Sequence, residues 1–334
     1  MTVEAKKIKL YGKECISLKA GGYHAVVAPF LGSNIIRFCD TLRKFDILRY
    51  EEDITLEDLI GGAATHGLPT LYLPNRLRGG VLKTTDAVYN LPLNEPEFNS
   101  HLHGFLHLRP YTVTDMGQGA DFSYVKTEYV YDENDEYFKY LPLKFKVDLT
   151  IKVSENGLDY RFGMTNMSDK KLPFGMCSHT SFLAPFIKGG DGMDVRLYMP
   201  ISERVELDDC FISTEEFLPL DDHDKQYLSG SLIPVHQVLE TEFYVGKEGE
   251  KDGKPFYGIT IRDEKTNTRI CYEFDKAYKF MITWNEGGEK GYFCVEPQTW
   301  MTNAPNLSLF PETTGYQELS PGEYVTLSQK LYVG

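Results

Sequence analysis

Two or three imidazoles and one carboxylate stand in segments of this chain whose other residues are largely apolar or aromatic. His101 and His103 lie in Asn99-Ser100-His101-Leu102-His103-Gly104-Phe105, His179 lies between Ser178 and Thr180-Ser181-Phe182, and Glu296 lies in Phe293-Cys294-Val295-Glu296-Pro297. A general acid must carry its proton at the start of a reaction and a general base must lack one, and a His and a Glu in one pocket can hold both states near neutral pH. A carboxylate flanked by Val295 and Pro297 is costly to bury without a purpose. A fourth segment runs from Gly67 to Arg76 and is followed by Arg78. Asn75, Arg76 and Arg78 supply amide and guanidinium donors suited to gripping hydroxyl groups, with Arg76 the preferred ligand.

These groups are spread over nearly two hundred residues, so strands and turns must bring them together. The stretch from Leu143 to Val153 alternates apolar and polar residues and predicts a half-buried antiparallel strand. Asn156-Gly157 then predicts a tight turn, and Leu158, Tyr160, Phe162 and Met164 resume the alternation. A second hairpin is expected over 258–274, with further strands over 122–131 and 324–333. Helical signals are few, with one turn expected from Leu56 to Ile60. The polar run 246–254 reads as a loop tip, and Leu207-Asp208-Asp209-Cys210-Phe211 as a surface turn. Many short strands without a linker or repeat predict an all-β fold of stacked antiparallel sheets.

Bulk properties narrow the function. A formal net charge of −14 argues against nucleic acid as a partner, because phosphate binding needs a basic face, and no basic cluster interleaves with the aromatics. An acidic surface repels anionic lipid, no apolar run is long enough to span a bilayer, and the first residues lack the build of a signal peptide. The six cysteines show no CxxC spacing and read as reduced, buried side chains, which points to a cytoplasmic protein. No coiled-coil seam or other assembly signature speaks to oligomeric state.

The order His, His, Glu-Pro, together with Gly67-Leu68-Pro69-Thr70-Leu71-Tyr72-Leu73-Pro74-Asn75-Arg76, resembles the aldose 1-epimerase (galactose mutarotase-like) family from about Gly21 to the C-terminus. The resemblance implies one galactose mutarotase-like domain over residues 1–334, folded as a large antiparallel β-supersandwich. It implies an isomerase that interconverts the anomers of a free hexose without metal or organic cofactor. By the same resemblance Glu296 is the base, His179 the acid, and His103 helps to hold or protonate the ring oxygen. Many family members carry an Asp three residues before a Phe to grip sugar hydroxyls; here Leu239-Glu240-Thr241-Glu242-Phe243 offers Glu240, one methylene longer.

Trp284, Trp300, Phe105 and Tyr72 are candidates for stacking on a sugar, with Trp284 nominated. Strand alternation would set His101 on the same face as His103, supporting it from behind, with His107 on the same parity. The spacing of His101, His103 and His107 also suits a metal site of the cupin type, although no carboxylate follows at the usual short interval. The same residues would also suit a hexose-6-phosphate epimerase, or a non-catalytic carbohydrate-binding module of the same fold.

Overall fold

The computed structural model describes residues 2–334. Alternation over Phe145–Ser154 is realised as expected, with Val147, Leu149, Ile151 and Val153 no more than 1% exposed and the intervening residues partly wet. Its hairpin partner Gly157–Asn166 follows the Asn156-Gly157 turn, and both belong to an eight-stranded antiparallel sheet. That sheet also contains Phe122–Tyr131, Tyr324–Val333, and the hairpin Gly258–Asp263 with Thr268–Phe274. An N-terminal five-stranded sheet begins at Glu4–Leu10 and ends at Phe45–Asp46.

A further sheet positions the candidate site. Along its main path it runs from Ser213–Leu218 through Ile201–Leu207, Glu242–Gly246, Phe280–Trp284 and Tyr292–Gln298 to Cys177–Ser178 and Thr70–Leu71. Thr180–Leu183 also pairs with Tyr292–Gln298. All seven residues of Tyr292–Gln298 are buried, so this central strand is covered on both faces, and Glu296 is held inside rather than at a wet strand end. One apolar cluster extends from Ile16 to Leu331 and contains most of the aromatic core, including Phe145, Phe162, Tyr272 and Trp300.

The expected helical turn is present as Leu56–Gly61, capped by the Thr55 hydroxyl accepting from the Asp58 amide at 3.1 Å. Short helices at Asp224–Ser229 and Pro311–Thr314 lack an apolar period and were not legible. The run 246–254 is more than a loop tip. It includes the strand Gly249–Lys251, which pairs with Lys254–Phe256 because Asp252 and Gly253 both adopt positive φ, the geometry of a tight hairpin turn.

Candidate active site

The register of this last sheet brings His179 and Glu296 together. Cys177 pairs with Gln298 and Thr180 with Val295, so His179 falls opposite Glu296, and cross-strand partners share a face. His179 Nε2 lies 3.1 Å from Glu296 Oε1, and the two residues are 4% and 3% exposed. The same face presents Cys177, whose Sγ is 4.0 Å from the other carboxylate oxygen of Glu296, and the Ser181–Cys294 contact at 3.2 Å. On the other side of the central strand, Ile282 pairs with Glu296 and Trp284 with Cys294, which sets Trp284 on the Glu296 face. Its ring stands 6.1 Å from that of His179.

His103 arrives by a different route. Ser100–Leu102 pairs with Arg76–Arg78, and the next residue leaves the strand with a φ of 62°. Asn75 is also left-handed, at 54°, and its carbonyl accepts from the His103 amide at 2.8 Å. Gly104 completes the turn: with φ 58°, an added Cβ would lie 1.9 Å from the Tyr72 carbonyl oxygen, so this close approach requires glycine. The break in alternation swings the His103 ring toward His179, with centroids 5.3 Å apart and planes perpendicular. The expectation that His101 shares a face with His103 is therefore overturned. His101 pairs with Leu77 on the buried side, where its Nδ1 is 2.7 Å from the Pro92 carbonyl. His107 is buried, with its backbone close to Gly32, and neither it nor His101 lines the cavity that holds His103 and His179.

Asn75, Arg76, His103, His179, Trp284 and Glu296 line one cavity of about 310 Å³, together with Ala64, Thr65, Glu95, Leu102 and Thr241. Such a volume is at the small end for ligand pockets. Arg76 is 9% exposed and makes a two-pronged ion pair with Glu95, at 2.6 and 2.7 Å. Its guanidinium lies 4.6 Å from the Phe211 ring centroid and 5.5 Å from that of Phe98. Sequence reasoning missed Glu95 and Phe211. The 207–211 turn read as mere surface also places Phe211 over Arg76, and no local pattern marks either partnership.

Two nominated ligands fall elsewhere. Arg78 projects away and pairs with Asp208 at the surface. Glu240 is exposed and lines a neighbouring cleft with Arg204 and Asp208, while Thr241, at φ 49°, turns toward the cavity in its place. Glu242 is anchored by His223 at 2.8 Å and Tyr227 at 2.5 Å, which fixes the strand start and leaves Glu240 outside. Trp300, Phe105 and Tyr72 are at most 1% exposed and belong to the core.

Burial in an apolar surround opposes charge on every proton-handling group. It raises the Glu296 carboxyl from 4.5 to about 8, with Arg76 pulling the other way. It lowers His179 to about 3 and holds His103 well below the ordinary imidazole value, His179 adding to the latter effect. Both shifts oppose charge separation, so burial favours the form of the pair with neutral His179 and a protonated Glu296 carboxyl over the imidazolium–carboxylate form. Buried Nδ1 atoms of both His179 and His103 lack a hydrogen-bond partner. Among the described residues no group of three or more His, Cys, Asp or Glu side chains is arranged to hold a metal ion. No described helix is long and apolar enough to cross a membrane, and all six cysteines are unpaired.

Comparison with known proteins agrees with this architecture. A galactose mutarotase-like protein from Clostridium acetobutylicum superposes with a TM-score of 0.97 at 30% identity, covering 99% of this chain and 98% of its own. The aldose epimerase homologue from C. elegans gives 0.72 at 20% identity, covering 100% and 99%, and galactose 1-epimerase from Lactobacillus acidophilus gives 0.73 at 13%, again covering 100% and 99%. The latter two likenesses are of fold alone. The expected mutarotase-like all-β fold is thereby borne out. With the model of the family described as aldose 1-epimerase matching residues 14–332, the chain belongs to that family.

Proposed function

We propose that this chain is an aldose 1-epimerase that interconverts the α and β anomers of a free, neutral hexose, acting as one domain over residues 1–334. The contact between His179 and Glu296 carries the reading. The anomeric oxygen and the ring oxygen of a pyranose share a single carbon, so the groups that serve them must stand side by side, and these two are 3.1 Å apart.

Glu296 takes the proton of the C1 hydroxyl while His179 delivers one to the ring oxygen. The C1–O5 bond breaks, C1 becomes an aldehyde, rotation about C1–C2 presents its other face, and the reverse transfers close the ring as the opposite anomer. Burial favours the proton on Glu296, so catalysis requires its passage to His179 across their contact. A hydroxyl donating to the carboxylate and a ring oxygen accepting from the imidazolium favour that charged form, and Arg76 favours it further. His103, neutral and perpendicular to His179, holds the ring oxygen side of the sugar; Asn75 and Arg76 offer donors to hydroxyls, and Trp284 offers a ring to the apolar sugar face.

Charge in the cavity supports a neutral sugar over a hexose 6-phosphate. Its one cation, Arg76, is already paired with Glu95, and Glu296 is the other carboxylate. A phosphate dianion would want unpaired cations. A mere binding module has no use for an acid and a base in contact. Polarimetry of freshly dissolved α-glucose and α-galactose tests the reading: the enzyme should speed the approach to equilibrium in a concentration-dependent way. Acceleration confined to 6-phosphates would favour the phosphorylated substrate, and sugar binding without acceleration of either class would favour the module.

A further inference from the structure

His179 stands at a gap in its sheet: Cys177–Ser178 and Thr180–Leu183 are separate strands, and the ladder opposite Tyr292–Gln298 is interrupted at this residue. Its buried Nδ1 has no hydrogen-bond partner. A working imidazole is ordinarily oriented by the bond its other nitrogen makes. Here the aim of the ring must come from the backbone that carries it.

That backbone is held from the far side of the strand. Ser178 and Thr180 alternate with His179, so their side chains leave the cavity for the core between the two sheets, where both are fully buried. Gln329, from Tyr324–Val333 of the eight-stranded sheet and itself buried, meets them there. Its Nε2 donates to Ser178 Oγ at 2.7 Å and to the Tyr278 hydroxyl at 2.6 Å, while its Oε1 accepts from the Tyr272 hydroxyl at 2.6 Å. The Tyr272 oxygen in turn lies 3.0 Å from Thr180 Oγ1, and the Tyr278 hydroxyl donates to Met176 Sδ at 3.7 Å. One carboxamide thus reaches Met176, Ser178 and Thr180. Apolar replacement of every partner could fill this space at little cost in stability, because a buried hydrogen bond gains little net. A fully satisfied buried network instead specifies one geometry.

We propose that Gln329 is a positioning residue for the reaction: directly through Ser178, and through Tyr272 and Thr180, it fixes the backbone that aims the His179 ring at Glu296. This rests on the mutarotase reading of that pair. Gln329 does not line the catalytic cavity, so it acts on the sugar only by way of His179.

Three variants test this by polarimetry. Gln329→Met keeps an unbranched side chain but makes none of the three hydrogen bonds, and should lower kcat about tenfold or more while KM for hexose stays within about twofold, since misaim of a catalytic group costs rate rather than sugar contacts. Gln329→Glu, whose neutral carboxyl keeps an acceptor for Tyr272 and a donor for Ser178, should restore kcat to within about threefold of wild type. Val153→Ala loosens the same apolar core but removes no side-chain hydrogen bond, and should melt lower with kcat within about twofold. A Gln329→Met enzyme with undiminished kcat, or a Val153→Ala enzyme that loses as much kcat for the same fall in Tm, would overturn the proposal. Ser178→Ala removes a single oxygen and should reproduce the kcat defect even where Gln329→Met proves too unstable to assay; undiminished kcat there would overturn it equally. Histidine NMR separates positioning from the functional reading, because it needs no turnover. The His179 ring should give one sharp set of signals in wild type and in Gln329→Glu, and broadened or doubled signals in Gln329→Met. Unchanged signals in Gln329→Met would overturn the positioning role even in an active enzyme, whereas changed signals in a protein without mutarotase activity would uphold it and sink the functional reading alone.

Discussion

Replacing Glu296 by Gln should separate activity from stability. The amide keeps the shape of the side chain and offers His179 both a donor and an acceptor, so the 3.1 Å contact can be retained while the base is lost. Loss of a positioned base typically costs about 10²–10⁴ in rate, or about 3–5 kcal/mol of barrier at about 1.4 kcal/mol per decade. Stability should move the other way. The buried carboxyl is raised from 4.5 to about 8, so between those values the unfolded chain has released its proton while the folded chain still holds it. Folding stability contributed by this group therefore falls as pH rises from 4.5 to about 8 and levels off above.

Each pH unit in that window is worth at most about 1.4 kcal/mol, so at pH 7 the wild-type residue costs about 3 kcal/mol that Gln does not. With an unfolding entropy of about 2 cal/mol/K per residue, a chain of 334 residues should gain about 4 °C in Tm. At pH 5 the gain should shrink below about 1 °C, since less than one unit of the window has been crossed. Polarimetry and calorimetric melting of both proteins at pH 5 and 7 provide the measurement. A variant that melts lower than wild type at pH 7, or whose advantage does not grow with pH, would refute the reading of Glu296 as a buried, desolvated carboxyl. One that keeps more than a tenth of the activity would refute its role as base.

Because the working pair holds one proton, kcat/KM should stay level through neutrality and fall about tenfold per unit above about pH 8 as the last proton leaves. Arg76, Glu95, His103, His107, Cys177 and Cys294 are the other titratable or charged groups near this pair, and a rate that instead keeps rising from pH 8 to 9 would mean that Glu296 works as an isolated base. Glu95→Gln should leave the buried Arg76 charge without its counterion and cost about 3–5 kcal/mol of stability in a urea titration, with a raised KM for hexose as Arg76 loses its fixed orientation. Glu240→Ala and Arg78→Ala should each leave kcat/KM within twofold, since neither side chain lines the catalytic cavity; a tenfold loss in either would restore it as a sugar ligand.

The strands were legible where burial has a period. Phe145–Ser154, its hairpin partner and the 258–274 hairpin follow from alternation and turn residues alone, since a half-wet strand must alternate. Tyr292–Gln298 is covered on both faces and carries no alternation, so nothing in its pattern marked it as the central strand. The types of His103, His179 and Glu296 were readable, but not how they meet. The His179–Glu296 contact is a matter of register between distant strands, and His103 reaches the cavity through positive φ at Asn75 and His103, residues that sequence alone does not force into that conformation. Extrapolating strand parity through that turn misplaced His101. The same physics explains Glu240: at the left-handed residue Thr241 the chain turns so that Thr241, and not Glu240, lines the cavity.

What the sequence withheld most completely is pairing. A nominated Arg76 reads as an available cation, yet Glu95, nineteen positions away, consumes its charge, and Phe98 and Phe211 fix its plane. That pairing bears directly on specificity. An unpaired guanidinium would favour a phosphorylated substrate, whereas one already matched by a buried carboxylate can still donate to hydroxyls but brings no net charge to a dianion. Under the proposed function, preference for a neutral substrate would thus rest on a residue in no recognisable motif, and one substitution at Glu95 should shift binding toward anionic sugars even as it weakens the fold.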